Sequence, residues 1–395
     1  MKDNSQKHKK VLEITFNSPT CHCGGIEDAT LNLIKEFLEV GYKVTSFFCS
    51  GDWDSDHIEK DSLEIVRFST KNRIMSRGPL AKVLFNLWIL VYLMKYRKSF
   101  DIIHFNGDNG GLSSLIFRNG SVHSVPGLSF SKGRTLYGKL SFPKRSIVGL
   151  IYFPSMIFEF LGLIFAEKVV CDNVYSMEMV KKFLKKRSEK VMIIPNSVDD
   201  KAFFPVTSPI EREQTKKEVG LDGDSFYAIW VGTNPYNYGL DTAIEAILKA
   251  NKKWNLIVVG PMQEIKDKRI HYVGFQDHVS LGKYYRSSLV FLFPKRYEGI
   301  ELAVISAMLC GAVPILDSKF SPRYFTTDEV FFSGSVEEIV DLLNRISEYP
   351  GMLENKSERA IERARKQTPA TVASQYLEMF TSLNPLNHTV VRYRK

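Results

Sequence analysis

Apolar runs of five to seven residues alternate with longer stretches of helical spacing, which predicts strands separated by helices. Lys10–Phe16 (KVLEITF) reads as a strand that runs into a turn at Cys23-Gly24-Gly25. Ile26–Val40 follows with Leu31, Leu33, Ile34, Phe37 and Leu38 on one helical face. Tyr42–Cys49, Asp101–Phe105, Ser121–Val125, Lys168–Cys171 and Lys190–Ile194 read as later strands. A second series begins after Pro205: strands at Phe226–Val231, Trp254–Val259, Ile270–Val273, Leu289–Phe293 and Val313–Leu316. Helices are expected at Asp241–Ala250 and at Leu302–Cys310, the latter stopped by Gly311. Strand–helix repetition of this kind predicts parallel sheets covered on both faces.

The length of 395 residues exceeds one comfortable core. The expected division is a first α/β domain over 1–203, a second over 204–371, and a tail over 372–395 that crosses back to the first domain. Ligands in doubly wound sheets sit at the carboxyl ends of strands, so the expected site is a central cleft faced by both domains. No Gly-x-Gly-x-x-Gly follows a strand, and there is no Gly-Lys-Ser/Thr phosphate loop, no Gly-x-Ser-x-Gly and no His-Glu-x-x-His. Their absence argues against a dehydrogenase, a P-loop NTPase, a hydrolase of that type and a zinc protease.

Two apolar stretches need separate treatment. Val83–Met94 (VLFNLWILVYLM) is too short to span a bilayer and is flanked by Lys82 and by Lys95, Arg97 and Lys98. It is expected as a buried helix or as one lying in a membrane interface. Ile147–Ala166 contains Pro154 and Glu159 and is expected as a buried helix or as two helices broken at the proline.

Charge changes the picture further. The net charge is +9, of which residues 1–201 hold +8. Between Glu64 and Glu159 stand 14 Lys and Arg residues against only Asp101 and Asp108. That field suits an anionic partner, either an acidic substrate or an anionic membrane face. No nucleic-acid motif accompanies it, and nucleic acid is not expected. Five cysteines, an odd number, argue against a disulfide framework and for a reducing compartment. Cys21-His22-Cys23 has no second pair at zinc spacing. No signal peptide is read at the N-terminus.

Four segments in order carry a resemblance: Gly24-Gly25-Ile26-Glu27; Ile194-Pro195-Asn196-Ser197-Val198-Asp199; Val231-Gly232 with Gly239-Leu240-Asp241; and Phe293–Gly299 with Ala307–Pro314. Together the chain resembles family-4 glycosyltransferases of the GT-B type, over residues about 10 to 380. The resemblance implies an α/β GT-B fold of two doubly wound, parallel-sheet, Rossmann-like domains. It implies an acceptor-binding first domain and a second domain that binds a nucleotide-sugar.

In the resembled family a glutamate contacts hydroxyls of the donor sugar, and Glu298 holds that position. The residues just after it, Gly299, Ile300 and Glu301, border the sugar. Glu301 stands where the family usually has Gly. A second glutamate usually holds the ribose, and here that position is Ser306, which cannot chelate a diol. The family's diphosphate clamp of Arg and Lys falls on Thr233, after Gly232, and on Tyr238. Lys295 and Arg296 are the nearest replacement cations. Gly24 and Gly25 open a helix whose amides favour an anion. His123 matches a histidine that many members place beside the sugar, and His104 has a weaker claim to the same role.

The function implied is a retaining glycosyltransferase of hexosyltransferase type, moving a sugar from a nucleotide-sugar to a glycan or lipid-linked acceptor. Cytoplasmic location, peripheral at the inner membrane face, is expected. No cofactor and no metal are expected, since no Asp-x-Asp pair in the sequence looks like a metal–diphosphate site. The alternative is a GT-B-like glycan-binding or scaffolding protein in which catalysis is weakened.

Overall fold

The computed structural model describes residues 9–21, 25–50, 52–53, 61–68, 78–125, 142–261, 267–297 and 302–384. The chain divides into two compact units, 1–196 with 370–395 and 197–369, so the divisions fall at Asn196/Ser197 and Pro369/Ala370 rather than after 203 and 371.

Unit 1 contains β1 (Lys10–Ile14), α1 (Gly25–Glu39), β2 (Lys43–Phe48), β3 (Leu63–Arg67), α2 (Gly78–Tyr96), β4 (Ile102–Asn106), α3 (Gly111–Ser114), β5 (Ser121–Val125), α4 (Phe142–Phe165), β6 (Lys168–Cys171), α5 (Val174–Leu184) and β7 (Val191–Ile193). The strands form one parallel sheet in the order β3-β2-β1-β4-β5-β6-β7. Strands buried on both faces read as near-continuous apolar runs, which is why VLEI, KVTSFF and KVVC form here. One face packs Val11, Ile102, Val122 and Val170 against α1. The other packs Leu12, Ile14, Phe47, Ile103 and Phe105 against Phe85, Ile89 and Leu93 of α2.

Unit 2 contains α6 (Pro209–Glu218), β8 (Phe226–Val231), α7 (Leu240–Lys249), β9 (Trp254–Val259), β10 (Ile270–Gly274), α8 (His278–Ser287), β11 (Val290–Phe293), α9 (Leu302–Leu309), β12 (Val313–Asp317), β13 (Phe331–Ser333), α10 (Val336–Glu348) and α11 (Glu354–Arg365). Its sheet is parallel, in the order β10-β9-β8-β11-β12-β13. Trp230 and Trp254 are fully buried at its centre. Their indole N–H groups donate to Tyr238 O at 3.0 Å and to Leu343 O at 2.7 Å, so neither buried donor is left unmet. Ser208, Asp277 and Ser335 cap the N-termini of α6, α8 and α10.

The last helix, α12 (Pro369–Thr381), returns to unit 1. Val372, Ala373, Tyr376, Met379 and Phe380 close the α1 face of the first sheet. Helix α4 runs unbroken through Pro154, so of the two expected forms the single helix is the one that occurs. Proline removes one amide donor and normally kinks or breaks a helix. Here the turns after it are anchored by buried Ser155, Phe158, Glu159 and Leu163. Lys190 Nζ also donates to the Ile164 and Ala166 carbonyls at the end of the helix, at 2.9 and 2.7 Å.

Candidate functional site

The carboxyl edge of β8 and β9 in unit 2 is built from close backbone approach. Gly232 N donates to Val259 O at 3.1 Å. A Cβ on Gly260, whose φ is 137°, would sit 2.0 Å from Gly232 O. A Cβ on Gly232 would sit 2.3 Å from the Tyr238 ring. Both positions therefore require glycine, because β8, β9 and the Tyr238 ring pack directly on them at the carboxyl edge of the sheet.

The turn from Gly232 to Leu240 carries the two positions where a cationic clamp was expected. Thr233 is exposed at the strand end. Tyr238 does not replace a cation in any geometric sense. Its ring lies on Gly232 and continues an aromatic row, 5.2 Å from Phe293 and 5.7 Å from Tyr297, each pair inclined at 36°. Gly239, at φ 71°, lets the turn press on Pro294, whose carbonyl oxygen a Cβ would meet at 2.2 Å.

The loop after β11 holds both candidate replacement cations, and they differ. Arg296 is committed within the loop: Nη2 lies 2.9 Å from both carboxylate oxygens of Asp241 and 3.0 Å from Thr242 Oγ1. Nη1 donates to Tyr236 O at 2.5 Å, and the guanidinium stacks 4.7 Å from the Tyr236 ring. Arg296 thus ties the loop to the start of α7. Lys295 is 4% exposed, with Nζ 5.2 Å from the Tyr324 ring centroid and 5.9 Å from that of Tyr297. Ser306 is buried on α9, the helix that opens at Leu302. Glu298, Gly299, Ile300 and Glu301 lie outside the described residues, as does Gly24. Gly25 is exposed as the first residue of α1.

In unit 1, β5 directs His123 and Ser124 to opposite faces of the sheet. His123 is fully buried against α4, where a Cβ on Gly162 would meet the ring at 2.2 Å. Neither ring nitrogen has a partner in hydrogen-bond geometry. Burial, then the neighbouring His104, hold its pKa down at about 3, against weaker opposite effects of Asp108 and the Gly107 backbone. In this structure the ring is neutral near pH 7 and closed to solvent.

On the opposite face stands a polar chain that the spacing along the sequence does not reveal. The register sets Glu13 opposite His104, and Asn106 opposite Ser124. His104 Nδ1 lies 2.9 Å from the Glu13 carboxylate, and Nε2 lies 2.6 Å from Ser124 Oγ. Ser124 Oγ is 3.0 Å from Tyr376 OH on α12. All four side chains are buried. The chain borders a small cavity of about 20 Å³, lined also by Thr30, Asn106, Asp172 and Asn196. That is room for about one water molecule.

Residues 211–367 match the family of glycosyl transferases group 1. Over 143 residues the chain is 28% identical to the lipopolysaccharide core biosynthesis mannosyltransferase LpsB of Rhizobium meliloti, covering 31% of this chain and 39% of that protein. Over 278 residues it is 23% identical to the UDP-Gal:alpha-D-GlcNAc-diphosphoundecaprenol alpha-1,3-galactosyltransferase of Escherichia coli, covering 64% of this chain and 66% of that protein. The chain thus spans less than two thirds of either relative. The solved sucrose-phosphate synthase of Thermosynechococcus elongatus superposes with a TM-score of 0.75 at 18% identity, over 95% of this chain and 99% of that one. Two parallel Rossmann-like units and this likeness establish the GT-B fold, within which residues 211–367 match the glycosyl transferases group 1 family.

Proposed function

We propose that the chain is a retaining glycosyltransferase that takes a hexose from a nucleotide-sugar and passes it to a glycan or lipid-linked acceptor. The observation that carries this reading is the match of residues 211–367 to the glycosyl transferases group 1 family, within which the partly exposed Gly232 ends β8 at the carboxyl edge of the sheet, where ligands of doubly wound sheets bind. The name of one relative describes a mannosyltransferase of lipopolysaccharide core biosynthesis, and that of the other a galactosyltransferase acting between UDP-Gal and GlcNAc-diphosphoundecaprenol. The reaction is assigned to the cytoplasmic side of a membrane, without a metal.

As the sugar leaves, the diphosphate takes the bonding electron pair, and its growing negative charge must be met. With Thr233 and Tyr238 uncharged, Lys295 in the loop after β11 is the cation assigned to that task. Glu298 is assigned to the sugar hydroxyls. These same two uncharged positions favour the second reading, a glycan-binding protein with weakened catalysis.

Release of nucleotide from UDP- and GDP-sugars, with and without a chelator, separates the two. Glu298→Gln and Lys295→Ala should each lower turnover at least tenfold, while Thr233→Arg, at an exposed position, should strengthen donor binding. No donor binding by the wild type, and none gained by Thr233→Arg, would establish the binding-protein reading instead.

A further inference from the structure

Helix α2 is apolar on its solvent side as well as on its core side. Ala81, Phe85, Ile89 and Leu93 recur every four residues and are fully buried. At roughly 100° per residue, Leu80, Leu87, Val91 and Met94 fall on the opposite side. They are 51, 45, 62 and 68% exposed. No charged residue stands between Lys82 and Lys95. A surface helix normally turns a polar face to water, and this one does not. On α4, which packs beside α2, Phe153 and Ile157 extend the apolar surface at one-turn spacing, 58 and 40% exposed.

The charge at the end of this helix selects its occupant. Along the sequence, the stretch between Glu64 and Glu159 carries 14 basic residues and two acids. Asp108 is paired with Lys82 at 2.6 Å, and Asp101 accepts the backbone N–H of Lys10 at 2.8 Å. Lys95 and Lys98 stand exposed at the C-terminal end of the stripe. A second copy of the chain would bring the same positive surplus against itself. An anionic bilayer complements both the apolar stripe and the lysines. No described helix is long and apolar enough to cross a membrane, so α2 would lie along the surface.

We propose that the outer face of α2, extended by α4, docks unit 1 on an anionic lipid bilayer. Leu87, Val91 and Met94 enter the acyl boundary, and Lys95 and Lys98 meet the lipid phosphates. Docking would bring unit 1 to a lipid-linked acceptor, and in that purpose it rests on the transferase reading.

The test is flotation of the full chain with vesicles of phosphatidylglycerol in phosphatidylcholine, and of phosphatidylcholine alone. Wild type should float with the anionic vesicles only, less so as salt shortens the screening length to about 8 Å. Leu87→Glu with Val91→Glu should lower binding at least tenfold, and Lys95→Glu with Lys98→Glu should lower it similarly, since each lysine near the surface is worth about fivefold. Nucleotide release from a UDP-sugar should be unchanged in both pairs, which shows that the fold survives. Equal binding to neutral vesicles, or no binding, overturns the proposal. So does a lipid-free dimer that Leu87→Glu with Val91→Glu dissociates, because the occupant is then a second copy. Vesicle binding in a protein that releases no nucleotide upholds docking and sinks the transferase reading alone.

Discussion

His123 can be tested without knowing any ligand. Its ring is fully buried and its pKa is held at about 3, against 6.5 for an ordinary histidine. Between those values the unfolded chain binds a proton that the folded chain refuses. Stability from this group is therefore intact above about pH 6.5 and is lost as pH falls from there toward 3. At pH 5 the interval is about 1.5 units, and at 1.36 kcal/mol per unit the loss is about 2 kcal/mol. For a unit of this size that corresponds to about 4–8 °C in melting temperature. His123→Leu removes the titration and the two unpartnered nitrogens while roughly keeping volume, so at pH 7 it should lie within about 1.5 kcal/mol of wild type. Thermal and urea unfolding of both proteins between pH 8 and 5 should give curves that diverge by about 2 kcal/mol at the acid end. All other titrating groups cancel in the difference. Parallel curves would refute the reasoning. They would mean that the ring titrates in the folded protein, open to water and available to a sugar hydroxyl.

Arg296→Ala should cost about 1–2 kcal/mol, because the exposed ion pair is worth at most about 1 kcal/mol and the Tyr236 and Thr242 bonds add the rest. Arg296→Lys should not restore it, since a lysine cannot reach Asp241, Thr242 and Tyr236 together; full recovery of the melting temperature by lysine would contradict the bonding described. Tyr376→Phe should cost about 1 kcal/mol and speed hydrogen exchange in α12, with Ser124 still held by His104; unchanged exchange there would show that the hydroxyl does not anchor the helix.

Much of the fold was legible from residues alone. Phe226–Val231, Trp254–Val259, Ser121–Val125 and Lys168–Cys171 are strands at the expected bounds, because each is a short run rich in β-branched or aromatic residues. Leu63–Arg67 was not read, since it is an edge strand with Glu64 and Arg67 exposed and little alternation to detect. Phe331–Ser333 is too short to show a period. The Glu13–His104–Ser124 chain was invisible for a different reason. Its members lie 91 and 20 positions apart, and only strand register joins them. At the candidate site, sequence spacing singled out Lys295 and Arg296 as the cations of the loop. It could not foresee that Asp241, 55 residues earlier, takes the guanidinium. Nor could it foresee that Tyr238 turns its ring onto Gly232.

The return of α12 to the first unit also fixes an order of events during synthesis. Ser124 and its partner Tyr376 are 252 residues apart. At roughly 5–20 residues per second, a ribosome needs roughly 13–50 seconds to make the second after the first. Throughout that interval the whole of residues 197–369 emerges while Val11, Ile102, Val122 and Val170 lack the side chains of α12 that finally cover them. The second unit can complete its own core first, although it comes later in the chain. The nascent first unit is then the natural client for a chaperone, and a stop codon before Tyr376 would damage the amino-terminal half of the protein rather than the carboxyl-terminal half.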